Sequence, residues 1–463
     1  MKLDYIFIQQ VLPDSSILGN RMFDLTAHMA AHDSRNVVSG GTFFALAGSV
    51  ADGHDFIDDA IGRGAKILVL AHNRYDSLAK SLESFLVDGG TIILVSDTTE
   101  ALIALAAAWR AQFSIPVIGV TGSIGKTTTK ELLAFVLHRA GHTCLVSPGN
   151  FNTRIGLAVT LLRLTANHTV AICEMGISQA GEMAQLAALV RPTMALITTI
   201  AHQHMDCLEN LAAVAREKRQ IFSCMPSDGI GFINGDVPLL HQAVYHHPVV
   251  RFGLRKQNQV NARKITFMHG SLRAIIQCFG NRFTLNLPIP HAGFLNSVLA
   301  VLSVCQMLEV DDQMVIEAVE DFIRIDGRFA LKNGRYGLLI NDAYNANPES
   351  MREALLAFHR MQTAGKKVAI LGDMGALGER SLYWHRQIGR TFRTTKSVTH
   401  AILVGPRMAA AAKTMPHVIR CSIVECWQDV PDVLASLADE GPIDVLLKGS
   451  NAVGLMNLAP LLS

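Results

Sequence analysis

A glycine-rich loop that carries a lysine and a run of threonines, Thr121 to Thr129, offers the chemistry that binds a nucleoside triphosphate. The apolar run Ile115 to Val120 before it is typical of a buried strand, and the run Lys130 to Ala140 after it has helical periodicity. In such a strand, loop and helix, backbone N–H groups surround phosphate oxygens, a lysine reaches the β- and γ-phosphates and a threonine hydroxyl holds Mg²⁺. We therefore predict ATP-driven chemistry at Thr121, Gly122, Ser123, Ile124, Gly125, Lys126, Thr127 and Thr128.

This loop departs from the strict Walker pattern at one position. The pattern has a glycine five residues before Gly125, where this chain has Val120. The alternative is an ordinary turn between a strand and a helix. Because a strand and a helix flank the loop on the expected sides, we favour a phosphate-binding loop.

Length, charge and cysteine content limit the class of protein. A chain of 463 residues predicts two to four domains. The formal net charge of +2 gives no support for a nucleic-acid partner. The eight cysteines lack Cys-x-x-Cys and zinc spacings, which is typical of reduced thiols in the cytoplasm. No apolar run approaches the ~20 residues of a membrane helix, so we expect a cytoplasmic monomer without an integral membrane segment.

Alternating apolar and helical runs predict an α/β protein of three domains. Residues 1–112 predict a small N-terminal α/β domain. Residues 113–325 hold the phosphate loop, strands of a mostly parallel sheet and antiparallel hairpins over Ile265 to Leu287. Residues 326–463 restart the strand–helix pattern and predict a doubly wound, Rossmann-like C-terminal domain. The expected architecture is a central P-loop-type ATPase domain with a smaller domain on either side.

Two polar residues follow predicted strands of the central domain. Glu174 ends the strand Val170 to Cys173, and His202 follows the strand Met194 to Thr199. Ligands gather at the carboxyl ends of strands in open α/β sheets, so both side chains are candidate ligands for Mg²⁺ bound at Thr127. The alternatives are a helix-capping or solvent-facing glutamate and a histidine whose hydrogen bonds are satisfied within its loop.

Lys218 lies on the apolar edge of a predicted helix, near Val214 and Ile221. A lysine in such a position usually extends its ammonium group to water. Composition alone therefore predicts an exposed amine with no chemical role.

Asp342, Asn345 and Asn347 crowd the end of a strand in the C-terminal domain, ahead of a helix. We expect them to contact a ligand, and the alternative is a turn with helix-capping asparagines. Arg328, just upstream, has the planar fork that matches phosphate. Lys448 adds a second cation after the last strand.

A third polar region lies near the N-terminus, where Ser34 and Arg35 precede the glycine turns at Gly40-Gly41 and Asp52-Gly53. An arginine and hydroxyl groups beside such turns form a candidate diphosphate site. Because turns of this kind are common, a turn without a ligand is the alternative.

Taken together, these motifs resemble those of the Mur ligase family along essentially the whole chain and in the same order. The N-terminal turns resemble its UDP-binding domain, and Gly149 to Asn152 is similar to the loop that contacts the UDP-muramyl substrate. Asp342 to Met351 and Leu371 to Gly378 resemble the branch that adds D-alanyl-D-alanine. The resemblance implies ATP-dependent ligation of D-Ala-D-Ala to UDP-N-acetylmuramoyl-tripeptide through an acyl phosphate, in peptidoglycan synthesis.

The resemblance also implies roles for individual residues. Thr127 and Glu174 would bind one Mg²⁺, and Glu174 and His202 would bind a second. Lys218 matches a carbamylated lysine whose carbamate orients the second metal, which replaces the prediction from composition. The implied catalytic set is Lys126, Glu174, His202, Lys218 and Arg328. Further contacts are implied for ATP at Asn296 (adenine), Arg328 (phosphate), Asp342 (ribose) and Asn345, and for the UDP substrate at Ser34, Arg35, Asn150 and Asn152.

The chain departs from the family pattern in four places. Ile124, Leu295 and Asn451 stand where a polar residue, a histidine and an arginine are usual, and the segment His202 to Asp206 is also atypical. None removes the implied catalytic set, so we expect an active ligase. The alternatives are the sister ligase that adds the third amino acid, folylpolyglutamate synthetase, a nucleotide-gated switch and a ligase fold kept as a scaffold. The sister ligase carries an Asp-x-Pro-Arg-like motif that is absent here, and folylpolyglutamate synthetase lacks the N-terminal UDP domain. The third peptide residue, meso-diaminopimelate or lysine, stays open.

Overall fold

Three β-sheets with helices packed on them follow one another along the chain. The computed structural model describes residues 3–24, 30–48, 50–268, 270–322 and 325–463. Within these residues, each predicted domain range contains one sheet. The predicted three-domain α/β architecture is therefore confirmed, while the limits of the domains stay a prediction.

The N-terminal sheet has five described strands. They are β1 (Ser16–Gly19), β2 (Ala30–Ala31), β3 (Thr42–Phe44), β4 (Ile67–Ala71) and β5 (Thr91–Val95). The helices of this part are α1 (Tyr5–Val11), α2 (Ile57–Gly62), α3 (Ala79–Val87) and α4 (Thr98–Arg110). The strand order is β1-β5-β4-β3-β2, with β1 antiparallel to β5 and the remaining pairs parallel.

The central sheet has nine described strands. They are β6 (Val117–Thr121), β7 (Cys144–Val146), β8 (Val170–Glu174), β9 (Met194–Ile197), β10 (Ile230–Asn234), β11 (Val249–Gly253), β12 (Val260–Met268), β13 (Ser271–Cys278) and β14 (Asn281–Leu287). Its helices are α5 (Lys126–Arg139), α6 (Arg154–Leu161), α7 (Glu182–Val190), α8 (Leu211–Arg219), α9 (Pro238–His241), α10 (Ala292–Met307) and α11 (Asp312–Glu320). The order is β14-β13-β12-β11-β10-β9-β6-β8-β7.

This sheet is parallel except at one edge. β12, β13 and β14 pair antiparallel, which confirms the predicted hairpins. β6 and β8 are buried at every residue. Continuous burial of this kind is expected where helices cover both faces of a parallel sheet. No helix among the described residues is long and apolar enough to cross a bilayer.

The C-terminal sheet has six described strands. They are β15 (Ala330–Gly334), β16 (Gly337–Asn341), β17 (Lys366–Gly372), β18 (Val398–Val404), β19 (Arg420–Val424) and β20 (Ile443–Lys448). The helices are α12 (Pro348–Arg360), α13 (Ser381–Thr391), α14 (Ala409–Ala412), α15 (Val430–Ala438) and α16 (Ala459–Leu462). The order is β15-β16-β20-β17-β18-β19, parallel apart from β15.

Helix α4 joins the N-terminal part to the central domain. The indole N–H of Trp109 donates to Leu164 O (3.1 Å). The buried guanidinium of Arg110 donates to Val190 O (3.1 Å) and Arg191 O (3.2 Å), at the end of α7. It also donates to Phe113 O (2.7 Å). Since the last carbonyls of a helix have no partner within it, Arg110 caps α7 from a neighbouring domain.

We expect Arg110→Met to destabilise the protein by about 1.5–3 kcal/mol, because it removes charge-assisted hydrogen bonds to buried carbonyls. The measurement is the midpoint of thermal unfolding. Arg63→Met is the matched control, since Arg63 forms an exposed pair with Asp59 on α2 and should change stability by less than about 0.5 kcal/mol. Equal shifts for the two variants would contradict the capping role of Arg110.

Candidate active site

Three neighbouring strands of the central sheet end at one cavity. β6 lies between β8 and β9, and the chain leaves β6 toward β7 and β8 before it crosses back to β9. Such a reversal leaves a crevice at the carboxyl ends of the strands, where ligands bind. The cavity here has a volume of about 760 Å³, and residues of the C-terminal domain also line it.

The phosphate loop lines this cavity. At two of its positions the backbone has a conformation that only glycine adopts readily. Gly122 and Gly125 have φ values of +146° and +85°. A Cβ atom at Gly122 would lie 1.8 Å from the hydroxyl of Thr198. That hydroxyl donates to Ile124 O (2.6 Å) and so fixes the loop against the end of β9. The predicted loop residues that line the cavity are Ser123, Ile124, Gly125, Lys126, Thr127 and Thr128.

Two cations reach the loop, one from each of two domains. Lys126 Nζ donates to Gly122 O (2.7 Å), and burial, with the charge of Arg328, lowers its pKa. Arg328 Nη2 donates to Thr127 Oγ1 (3.0 Å), and its guanidinium lies 3.9 Å from the centre of the Tyr344 ring. Burial also lowers the pKa of Arg328. Both side chains are half-buried, and an anionic ligand in the cavity would offset the cost of that burial.

Glu174 ends β8 beside the phosphate loop, as the sequence predicts. Its Oε1 accepts a hydrogen bond from Asn152 Nδ2 (2.8 Å). Its Oε2 is buried and has no hydrogen-bond partner among the described residues. The nearest cation is Lys130, whose Nζ lies 3.9 Å from Oε2. A buried carboxylate oxygen without a partner, at the wall of a cavity, is suited to a ligand such as a metal ion.

Lys218 is buried, which overturns the prediction from composition that its amine extends to water. Its side chain is 1% exposed, and its Nζ has no hydrogen-bond partner in the described part of the chain. Burial holds its pKa well below the usual value, and the charge of Lys126 adds to the effect. The carboxylate of Glu217, the preceding residue, accepts hydrogen bonds from the backbone N–H groups of Gly181 and Met183. The amine of Lys218 is therefore held toward its neutral form.

The two histidines after β9 point in different directions. His202 Nδ1 lies 2.5 Å from Glu349 Oε1, and its ring centre is 4.2 Å from that of Trp384. Among the described residues, His202 does not line the cavity, whereas His204 does. His204 has a φ of +57°, and burial, together with the charges of Lys218 and Lys126, lowers its pKa to about 4. The metal contact predicted at His202 therefore stays a prediction, while His204, for which the sequence carries no expectation, lines the cavity.

Helix α10 presents Asn296 to the cavity, as predicted for the adenine contact. Asn296 Oδ1 is buried without a hydrogen-bond partner among the described residues. The neighbouring Leu295, where a histidine is usual, is fully buried in the core. His291 instead lines the cavity at the start of α10 and accepts a hydrogen bond from Phe294 N (3.1 Å). No sequence pattern marks His291 as a residue of the site.

Asp342 and Lys448 form a buried ion pair at the edge of the cavity. Lys448 Nζ lies 2.7 Å from Asp342 Oδ2 and donates to Asn345 O (3.1 Å). Asn347 caps α12 through Ser350, so the capping alternative holds for this residue although it also lines the cavity. Lys448 is therefore already paired with a carboxylate of the protein, and this ion pair orients the Asp342 side chain.

The predicted contacts for the UDP substrate divide into two groups. Asn150 and Asn152 line the cavity. Ser34 is buried and does not line it, and neither does Arg35, whose exposed side chain pairs with Asp33 at 2.6 Å. That pair holds the pKa of Asp33 at about 2. The structure therefore separates Ser34 and Arg35 from the cavity that Asn150 and Asn152 line.

Comparison with protein families finds three matches in sequence order. The Mur ligase family catalytic domain matches residues 26–110, the Mur ligase middle domain matches residues 120–305, and the Mur ligase glutamate ligase domain matches residues 327–451. The three matches cover one predicted domain each.

Curated relatives are similar over nearly the full length. UDP-N-acetylmuramoyl-tripeptide–D-alanyl-D-alanine ligase of Synechocystis sp. is 31% identical over 93% of this chain and 91% of its own. The enzyme of the same name from Escherichia coli is 30% identical over 93% of each chain.

Solved structures share the fold. MurF ligase from Thermotoga maritima, crystallised in complex with ADP, superposes with a TM-score of 0.79 at 27% identity, over 95% of this chain and 98% of its own. MurF from Acinetobacter baumannii gives a TM-score of 0.85 at 24% identity, over 99% and 98%. Together with the family matches and the cavity geometry, these similarities establish that the chain belongs to the Mur ligase family.

Proposed function

We propose that this protein joins D-alanyl-D-alanine to UDP-N-acetylmuramoyl-tripeptide with ATP as the energy source, and so forms the UDP-N-acetylmuramoyl-pentapeptide of peptidoglycan synthesis. One observation carries the proposal: Lys126, Thr127, Glu174 and Arg328 meet at a single cavity between two domains of a Mur ligase. The names of the curated relatives supply the substrates. The ADP complex of the Thermotoga relative supports an adenine nucleotide as the ligand.

The first step activates a carboxylate. The terminal carboxylate of the tripeptide attacks the γ-phosphorus of ATP, so two anions have to approach each other. Lys126 and Arg328 offset their repulsion and the charge that develops during phosphoryl transfer. ADP is released from the phosphorus, and an acyl phosphate forms on the peptide.

The second step forms the amide bond. The amine of D-Ala-D-Ala attacks the acyl carbon, the tetrahedral intermediate collapses and phosphate leaves. Because water would hydrolyse the acyl phosphate, the domains have to enclose it. The His202–Glu349 pair and the hydrogen bond from Met205 N to Ala376 O (3.0 Å) hold the central and C-terminal domains together on this side.

The residues at the cavity fit Mg²⁺, and we propose two ions. Thr127 Oγ1 and the unpartnered Oε2 of Glu174 are oxygen donors of the kind that Mg²⁺ prefers. We assign the histidine contact to His204 rather than His202, because His204 lines the cavity. The described residues contain no group of three His, Cys, Asp or Glu side chains that could hold a metal ion alone, so substrate phosphates have to complete the set. Bound Mg²⁺ would neutralise the charge of the transferring phosphoryl group.

We also propose that Lys218 carries a carbamate. A lysine reacts with carbon dioxide through its neutral amine, and burial favours that form at Lys218. The amine has no hydrogen-bond partner in the described structure. A carbamate would turn it into an oxygen donor beside His204 and would supply a negative charge among the cations of the site.

Two groups of residues are candidates to contact the UDP-muramyl substrate. Asn150 and Asn152 are available to the substrate at the cavity. Arg35 has a side chain that is 79% exposed and could exchange Asp33 for a diphosphate. The contacts of Ser34 and Arg35 with UDP therefore stay a prediction.

The deciding experiment measures phosphate release from ATP with each substrate omitted in turn, and with either meso-diaminopimelate or lysine as the third peptide residue. We expect release only when both UDP-N-acetylmuramoyl-tripeptide and D-Ala-D-Ala are present. A nucleotide switch would release phosphate without them, and a scaffold would release none.

Lys126→Ala should lower kcat in this assay by roughly two to three orders of magnitude, because it removes a cation aimed at the transferring phosphate. The fold should persist, since Lys126 Nζ donates only to Gly122 O of its own loop. Lys80→Ala, at an exposed position in the N-terminal domain, is the matched control and should be neutral. Near-normal ligation by Lys126→Ala would exclude its proposed role.

His204→Ala should raise the Mg²⁺ concentration that gives half-maximal activity by about 10-fold or more, as loss of a metal contact does. His202→Ala is the comparison. It should lower kcat, because it removes a contact between the domains, but leave that Mg²⁺ concentration within about 2-fold of the wild-type value, because the cavity is lined by His204 and not by His202. The measurement is a magnesium titration of phosphate release. If the two variants exchange these behaviours, the assignment of His204 is wrong.

Lys218 should give a carbamate carbon resonance when the protein is incubated with isotopically labelled bicarbonate and followed by NMR. The signal should be absent in Lys218→Met, which removes the amine but keeps the apolar stem. Lys367→Met is the control, because Lys367 is buried in the C-terminal domain with carbonyl partners, and it should keep the signal. A spectrum without this resonance in the wild type would contradict the carbamate.

A further inference from the structure

A second buried lysine lies one turn after Lys126 on α5, and the proposed mechanism does not use it. Lys130 is 0% exposed. Its Nζ donates to Ser147 O (2.7 Å) and Gly149 O (3.2 Å). It also lies 2.9 Å from Glu131 Oε1 and 3.9 Å from Glu174 Oε2.

The ammonium group of Lys130 is held mainly by backbone oxygens. Two of its three N–H donors go to carbonyls, and Glu131 Oε1 lies near it as an ion pair. Glu174 Oε2 is therefore balanced by a nearby positive charge but is left without a hydrogen bond. The charge of Lys130 thus lies near the carboxylate while Oε2 stays available to a ligand.

Segment 147–152 joins the same network at its other end. Asn152 Nδ2 donates to Glu174 Oε1 (2.8 Å), and Asn152 O accepts from Gly176 N (2.9 Å). The hydroxyl of Ser147 accepts from Glu174 N (2.9 Å). Lys130 thus fixes the start of the segment to α5, while the end of β8 fixes its last residue.

We propose that Lys130 is a positioning residue that holds segment 147–152 in place for the muramyl substrate and couples that segment to the nucleotide bound at the start of α5. The proposal rests on the proposed function, because it assigns the segment to the UDP-muramyl substrate. Its chemical basis is the placement of two carbonyls and one carboxylate around a single buried cation on the phosphate-loop helix.

The first test uses Lys130→Met, which keeps the apolar stem and removes the charge and all three donors. Calorimetry measures binding of ADP and of UDP-N-acetylmuramoyl-tripeptide separately. We expect ADP affinity within about 3-fold of the wild type and tripeptide affinity lowered about 10-fold or more, since only the second ligand needs the segment. Lys367→Met is the matched control, as Lys367 also donates from a buried site to two carbonyls, His359 O and Met361 O. It should leave both affinities unchanged.

The second test needs no variant and no turnover. Hydrogen exchange of the wild-type protein is followed with and without ADP. We expect ADP to slow exchange in segment 147–152 as well as in the phosphate loop. Protection confined to the phosphate loop would overturn the coupling, even if Lys130→Met fails to fold.

The outcomes separate the two proposals. Equal loss of ADP and tripeptide affinity in Lys130→Met, or an equal loss in Lys367→Met, would reduce Lys130 to a general structural role and overturn its assignment. If the wild type binds the tripeptide but releases no phosphate with D-Ala-D-Ala, the proposed function fails while the binding test of Lys130 still stands.

Discussion

The site depends on one constraint: carboxylates of the protein offset only part of the positive charge of Lys126 and Arg328. Lys126 and Arg328 approach the phosphate loop from two domains, and burial lowers the pKa of each. Glu174 opposes that lowering at both cations, but its carboxylate is shared with Lys130. Buried cations are costly without anionic partners. A triphosphate supplies the missing charge, so the same arrangement that weakens the free protein favours the nucleotide complex.

The contact between the central and C-terminal domains follows from this constraint. Arg328 reaches Thr127 across the boundary, so a residue of one domain completes the phosphate site of the other. Near the same cavity, His202 contacts Glu349 and Trp384. His202 therefore belongs to the junction of the domains, whereas His204, two residues later, lines the cavity.

Much of the fold and the core of the site could be predicted from the sequence. The phosphate loop, the position of Glu174 at a strand end and the hairpins of β12 to β14 depend on local patterns, and local patterns are present in the sequence. The choice between His202 and His204 depends on a partner, Glu349, which lies far away in the chain. No spacing rule gives that contact.

The burial of Lys218 could not be predicted from the sequence either. A lysine at the edge of an apolar helix face extends to water unless other elements cover it, and only the packed structure shows that they do. No sequence pattern marks Lys130 and His291 for a related reason, since each makes hydrogen bonds with backbone atoms. The departure at Leu295 is likewise explained by packing, because that position faces the core.

Helix α5 is the common frame that turns these separate contacts into one site. Lys126 and Thr127 begin it at the phosphates, and residues three and four positions further on share one face of a helix. Thr129 Oγ1 donates to Ser297 Oγ (3.0 Å) and so fixes α10, which carries Asn296 to the cavity. Lys130, one residue later, fixes segment 147–152. Since one helix contacts the phosphate loop, α10 and this segment, a shift of its first turn would be transmitted to all three.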